Sequence, residues 1–448
     1  MDAQTTMFTL RLRVIGSAPM RPWPFAFALL CACSDEISGP RATRPTAPDA
    51  SDPAYAIHEI KHWYLTGDGL TPGDDEMTIV VDAPGGTSTI DAYVGELPPV
   101  RLSVQPNGQY GGLVSIAELP AGDHDVLLAA DGSQVAFARV PFRRSAAYYV
   151  MVSTDWDFSD PGNPSCDFTD RLHGDHPGMK ITQFVGPYTF TDPAVSATRA
   201  TALAAWVTGN RDKYEDEIGL HIHPYCNFVT HAGLACITDQ STVYDSDTSG
   251  YTIKVAAYGR KDFAALLQHA KELFVQHGLG TPTLFRAGGW TATLETLQAL
   301  DDTGFVGDSS ALNWARIEEW KGKELYRWTA EHWAPIDDVS QPWWPSQTDI
   351  LAAAGPRLSL LEVPDNGVMI DYVSLAEMTG IFDANFDGTA LARPTTLMMG
   401  FHPSTSFSQA EYLRVDGFLT YADHHLAIND DGPVIYTTLG KMVQAFPN

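Results

Sequence analysis

The chain has 448 residues, with 28 Lys and Arg against 55 Asp and Glu, for a formal net charge of −27 at pH 7. Hydrophobic residues make up 44% and aromatics 11%, enough apolar surface for a sizeable core, so global disorder is excluded. The acidity argues against a nucleic-acid or anionic-membrane partner, because a phosphate lattice needs clustered Lys and Arg. At about 150 residues per domain, the length allows two or three domains, or one barrel with a small companion.

Residues 1–33 read as a leader. The apolar run from Trp23 to Ala32 follows Arg21 and is far shorter than the ~20 residues of a spanning helix, so it reads as an export signal. Leu30-Cys31-Ala32-Cys33 resembles a bacterial lipobox, which implies a lipid on Cys33; an ordinary signal peptide cut nearby is the alternative. Met20 is an alternative start. The expected location is therefore the cell envelope, facing the periplasm or the cell surface, with membrane attachment only through Cys33. Residues 34–55 are rich in Ser, Pro, Ala, Thr and Asp and read as a flexible linker. Of the remaining cysteines, Cys226 and Cys236 are close enough in sequence to staple one loop, and an oxidising compartment permits that bond without requiring it.

Residues 56–145 read as all-β. Met77–Asp82, Ser88–Val94, Gly112–Ile116, Asp125–Ala129 and Val135–Val140 are short strands separated by turn clusters such as Pro84-Gly85-Gly86. Their spacing predicts a small immunoglobulin-like sandwich with no catalytic constellation. Residues 146–448 alternate strands with helices. Tyr148–Thr154, Met179–Val185, Glu217–His223, Thr283–Arg286, Phe305–Asp308, Leu358–Glu362, Thr396–Phe401 and Val434–Thr438 are predicted strands. The stretch from Asp262 to Phe274 predicts an amphipathic helix with Phe263, Leu266, Leu267, Ala270 and Phe274 on one face and Asp262 as its cap. A second helix is predicted over Glu295–Asp301. The fold class is thus α/β, a distorted (β/α) barrel or other parallel α/β sheet behind a β-sandwich.

Unusual polar residues fall at the ends of the predicted strands of the second region. Asp155 and Asp157, one residue apart, can face one site from a strand mouth. His221 and His223 share a strand face, a usable spacing for two imidazole ligands of one metal. Arg286, Asp308 and His402 each follow an apolar strand, and in a βα barrel such ends form one face.

This ordered set resembles the polysaccharide deacetylase family (NodB-like, carbohydrate esterase family 4), in its divergent branch with an HxH motif. The resemblance covers about Tyr148 to Phe446 and includes His176–Gly186 and Leu361-Glu362-Val363-Pro364. It implies Asp155 as catalytic base, and Asp157, His221 and His223 as ligands of a divalent metal, Zn2+ first among them. It further implies Arg286 as the residue that orients the base, Asp308 as support for that network, and His402 as the acid for the leaving group. Tyr225 stands where the family more often has its second histidine, and His223 takes that place. The implied activity is removal of N- or O-linked acetyl groups from an envelope or extracellular polysaccharide by a monomeric enzyme. The rival reading is a non-catalytic carbohydrate-binding lipoprotein that retains the fold.

Other motifs carry less. Asp383-Ala384-Asn385-Phe386-Asp387-Gly388 opens like a calcium loop, but Pro394 stands where the closing Glu belongs, and a polar turn is the alternative. The tryptophans from Trp320 to Trp344 suit either sugar stacking or packing. Asp74-Asp75-Glu76 reads as a solvated loop. The chain contains no GxSxG, HExxH, Walker or Rossmann fingerprint.

Overall fold

The computed structural model describes residues 43–448, so the expected leader and Cys33 lie outside the described residues. The first sheet has eight strands: β1 (Ala56–His58), β2 (Trp63–Leu65), β3 (Glu76–Asp82), β4 (Ile90–Val94), β5 (Val100–Val104), β6 (Tyr110–Ser115), β7 (Gly122–Ala130) and β8 (Ala138–Ser145). Alternation drives their burial: in β3, Met77, Ile79 and Val81 point into the core while Glu76, Thr78 and Asp82 face water. The strand order is β1-β3-β6-β5-β4-β7-β8-β2, antiparallel except for the parallel β2–β8 pair. β5 bonds β4 through Val100–Leu102 and β6 through Ser103 and Val104, so it carries the sheet from one half to the other around one apolar core.

The 34–55 segment, expected as a linker, lies along this sheet over its later part. Thr46 N–H donates to Gln134 O and Thr46 O accepts from Ala136 N–H, each at 2.9 Å, while Asp52 N–H donates to Phe137 O at 2.7 Å. Arg44 reaches Gly95 O and the Asp125 carboxylate. Backbone groups, which composition does not reveal, hold this strap.

The second unit holds β9 (Tyr148–Asp155), β10 (Ile181–Val185), β11 (Glu217–Ile222), β12 (Leu284–Ala287), β13 (Gly307–Asp308), β14 (Leu361–Glu362), β15 (Thr395–Phe401) and β16 (Val434–Thr437). Its helices are α1 (Asn163–Asp175), α2 (Ala197–Tyr214), α3 (Cys226–His231), α4 (Arg260–Gln276), α5 (Leu294–Asp302), α6 (Glu324–His332), α7 (Leu375–Asn385), α8 (Gln409–Asp423) and α9 (Met442–Ala445). All sheet pairings are parallel, in the order β14-β13-β12-β11-β10-β9-β15, with β16 against the first half of β9. β9 is buried along its whole length, as a strand covered on both faces must be. Irregular backbone, in place of a strand pair, bridges the two ends of the curled sheet. Asp365 pairs with Leu312, Met369 pairs with Gly400, and Gly367 N–H donates to Met398 O at 2.8 Å.

Helix α4 buries the expected face, but it starts at Arg260 with Gly259 as N-cap. Asp262 therefore lies in the first turn, where its charge still complements the helix dipole without capping it. The calcium-loop reading fails because α7 absorbs Asp383 and Asn385. The Asn385 amide donates to Asp338 O and Ile381 O, and Asp383 accepts from Tyr421 Oη. Within the tryptophan-rich stretch, Trp333 is fully buried with its Nε1–H on Trp290 O, and Trp344 Nε1–H donates to Phe446 O, so both pack the fold. The units meet where His62 and Trp63 N–H donate to Asp430, each at 2.7 Å, and where Tyr149 Oη donates to Asp68 at 2.7 Å.

Candidate active site

Strand register assembles the site. In a parallel sheet, residues in register share a face and sequence neighbours take opposite faces. Asp155 pairs with Phe184, Phe184 with Gly219, His221 with Arg286, and Ser153 with Gly400. Ser153, Asp155, His221, Arg286, Ser309 and Met398 therefore all face the inside of the curled sheet, and His402 follows one residue beyond β15.

Asp157 sits in a turn just past β9, its N–H on Asp155 O at 3.0 Å. Its Oδ1 lies 3.2 Å from His221 Nε2, 3.3 Å from His223 Nε2 and 3.7 Å from His402 Nε2. His221 Nδ1 lies 3.0 Å from Arg286 O, and His223 Nδ1 lies 2.7 Å from Tyr251 O. A carbonyl only accepts, so both imidazoles carry their proton on Nδ1 and turn the Nε2 lone pair towards Asp157. This is the arrangement by which outer partners orient metal-bound histidines. Gly288 makes room for it: a Cβ there would come within 2.7 Å of the His223 ring.

The donor set fits a divalent metal. His223 Nε2 is buried and makes no hydrogen bond, an orphan that a cation would satisfy. The ligand atoms of Asp157, His221 and His223 all lie within 4.8 Å of one another, and no other His/Cys/Asp/Glu group of this kind occurs among the described residues. Two imidazoles and one carboxylate leave positions open for other ligands, as in catalytic zinc sites. Burial would raise the Asp157 carboxyl, but the charge of His402, the largest opposing influence, helps hold it well below the usual carboxylate range. Tyr225 is no ligand; its hydroxyl donates to the Asp157 backbone carbonyl at 3.0 Å. Tyr251 donates to Asp157 Oδ2 at 2.7 Å, and burial first, then the Asp157 charge, keeps its phenol protonated.

Asp155 is held by Arg286, whose Nη1 is 3.0 Å from its Oδ1. The guanidinium is fully buried and spends its other donors on Ser153 Oγ at 2.9 Å, Ser309 O at 3.0 Å and Ser309 Oγ at 2.9 Å. Its plane stacks over Phe184 at 4.7 Å. A bidentate-capable, fully paired guanidinium fixes its partner more firmly than a lysine would.

Asp308, expected to support this network, lies elsewhere. It is in register with Phe285 and Glu362, on the face opposite Arg286, and makes no ion pair with that arginine. Ser310 Oγ donates to it at 2.8 Å, and burial pushes its carboxyl up to about 6. Burial first, then Asp308, pushes Glu362 well above the carboxylate range. The adjacent Ser309 does the work expected of Asp308.

Two further carboxylates escape the sequence motifs. Asp365 Oδ2 is 3.7 Å from Arg286 Nη1 and accepts Trp290 Nε1–H at 3.0 Å, and burial pushes its carboxyl up to about 6 against the pull of Arg286. Asp371 Oδ2 lies 2.6 Å from His402 Nδ1 and fixes that ring. Burial alone would lower the His402 imidazole, but Asp157 and Asp371 push it up to about 10. A cation on Asp157 would cancel part of that pull. Val368, between these carboxylates, has φ +65°, a strained value for a β-branched residue in the segment that bridges the sheet ends. Each follows a short apolar run, the same signal that marked Asp308, and Asp365 is the very next residue after Pro364.

No protein-family model and no curated protein matches the chain. Among solved structures, a Mycobacterium smegmatis protein described as a candidate polysaccharide deacetylase aligns over 66% of this chain and 89% of its own, at 15% identity and a TM-score of 0.39. A family 4 carbohydrate esterase from Streptomyces lividans, in complex with acetate, aligns over 67% and 96% at 10% identity and a TM-score of 0.34. A 4-alpha-glucanotransferase from Thermococcus litoralis aligns over 67% and 40% at 8% identity and a TM-score of 0.38. Likenesses this distant leave the site to be judged on its own geometry.

Proposed function

We propose that this chain is a metal-dependent hydrolase that removes N- or O-linked acetyl groups from an envelope or extracellular polysaccharide. The observation that carries the reading is the convergence, on one face of the curled sheet, of a His–His–Asp donor set, one of its imidazole nitrogens orphaned, with a buried base and an oriented acid. The motif order from Asp155 to His402 supports it through the family resemblance.

Asp157 Oδ1 and the two Nε2 atoms would hold the ion, and N/O donors of this kind suit Zn2+. When bound, such an ion lowers the pKa of a coordinated water to about 7 and polarises a carbonyl. Asp155 accepts the proton of the attacking water, its carboxylate aimed by Arg286. His402 delivers a proton to the leaving nitrogen or oxygen, and Asp371 on Nδ1 keeps its Nε2 turned into the site. Asp365, 3.7 Å from Arg286 Nη1, adds a second carboxylate beside the arginine that holds the base.

We read the whole as an exported lipoprotein, monomeric and anchored through Cys33, with no nucleic-acid partner. The Cys226–Cys236 disulfide supports an oxidising compartment. The first unit is read as an immunoglobulin-like sandwich, because its strands group as β1-β3-β6-β5 and β4-β7-β8-β2 around one apolar core. A carbohydrate-binding module would need no base, orienting arginine and acid together, which disfavours the rival. The test is acetate release from a panel of acetylated amino sugars and sugar esters by the Zn2+-loaded protein, with and without a chelator. Chelator-sensitive release supports the hydrolase; silence across the panel transfers the assignment to the binder.

A further inference from the structure

Tyr251 touches two members of the donor set at once. Its hydroxyl donates to Asp157 Oδ2 and its carbonyl accepts from His223 Nδ1, both at 2.7 Å. Its ring packs 4.6 Å from the His223 ring and 5.4 Å from that of Tyr225. The residue arrives on the long connection between α3 and α4, which is fastened beside the histidine motif in three ways. Cys226 and Cys236 are bonded. Cys226 N–H donates to Ser249 O at 2.8 Å. Gly250, at φ +84°, lets the backbone approach so closely that a Cβ would come within 2.3 Å of Pro224 O. Tyr251 is thus placed by backbone contacts before it and, just after it, by Thr252 O, which accepts from Thr242 N–H at 2.8 Å.

Its hydroxyl decides what Asp157 can offer a cation. A carboxylate ligates through one oxygen or through both, and two-oxygen ligation suits large, oxygen-seeking ions such as Ca2+. Here Oδ1 faces both imidazoles while Oδ2 is taken by the phenol. We propose that Tyr251 is a positioning residue that confines Asp157 to one-oxygen ligation and thereby selects a small transition-metal ion over a calcium-class ion. The inference rests on the metal reading above.

Replacing Tyr251 by Phe keeps the ring and its packing and removes only the donor. The purified full chain and Tyr251→Phe are compared by Zn2+ affinity against a competing chelator, by Co2+ visible absorption per bound ion, and by Ca2+ displacement. A melting curve confirms that the variant is folded. Removing such an outer partner typically costs about 10–100-fold in metal affinity, and that loss is expected here. The Co2+ absorption per ion should also weaken as the second carboxylate oxygen joins the coordination, and Ca2+ should compete better than with the parent. Unchanged affinity and spectrum overturn the proposal. Weaker affinity with an unchanged spectrum overturns it too, because it would show a packing role only. A parent chain that binds neither Zn2+ nor Co2+ sinks the metal reading itself and this inference with it.

Discussion

The two sheets of this protein bury different things. The first encloses side chains such as Ile79, Ile90, Val126 and Leu128, all fully buried, and its buried charges are few: Asp91, paired with the exposed Arg101, and Arg144, paired with Asp75. The second buries Asp155, His221, Arg286, Asp308, Glu362 and Asp365 in and behind one face. Buried ionisable groups are costly unless paired, and even when paired they stabilise less than well-packed apolar residues. The contrast separates a unit whose interior is almost wholly apolar from one whose interior gathers ionisable groups.

The sharpest break of that comparison is removal of the imidazoles. His221→Ala/His223→Ala should take purified protein from about one transition metal per chain to none, measured by elemental analysis, since one carboxylate alone is a poor site. Full occupancy in the double variant would mean the ion sits elsewhere. The converse substitution strikes the other sheet. Leu128→Ala should lower stability by about 2–5 kcal/mol through lost burial and a cavity, while metal content stays at the parent level. Metal loss in a folded Leu128→Ala chain would show that the sandwich and the site are coupled through the interface at Asp430.

A smaller effect probes a charged cluster away from the site. His176 joins the end of α1 to α8, with Nδ1 at 2.7 Å from Asp423 and Nε2 at 3.2 Å from Asp416. Burial alone would lower this imidazole, but the hydrogen bonds and charges of Asp423 and Asp416 outweigh it and raise its pKa. A raised folded-state pKa means the contribution is complete below the unfolded value near 6.5 and is lost as pH rises through the folded value. The melting-temperature gap between parent and His176→Gln should therefore be widest in mild acid and narrow towards alkaline pH. A gap that widens with pH would reverse the assigned charge state.

Much of the site was legible because strands expose chemistry at their ends. Asp155, Asp157, His221, His223, Arg286 and His402 all sit where an apolar run stops, and the structure gathers them. The same rule misplaced Asp308, because the run alone does not say which face a residue takes. That depends on register, which puts Ser309 inside and Asp308 outside. Asp365 and Asp371 lie on irregular backbone whose pairing with Met398 and Gly400 is long-range. Tyr251 comes from a loop with no periodicity at all. Helix α4 was readable from its apolar stripe, whereas α1 buries a face made mostly of small and polar residues (Ser165, Cys166, Thr169, His173) and the evenly Ala-rich α2 has little contrast between its faces. Strand β5 has only Leu102 fully buried and was missed for want of alternation.

The central claim is that Asp155, fixed by Arg286, is a base beside the metal and not a ligand of it. Its most direct test is acetate release by the metal-loaded parent and by Asp155→Asn, with metal content measured on the same samples. The account predicts that the variant keeps its ion and loses about 10²–10⁴-fold in turnover, the usual worth of a general base. An Asp155→Asn protein that retains parental turnover, or that loses its metal together with its activity, would contradict it.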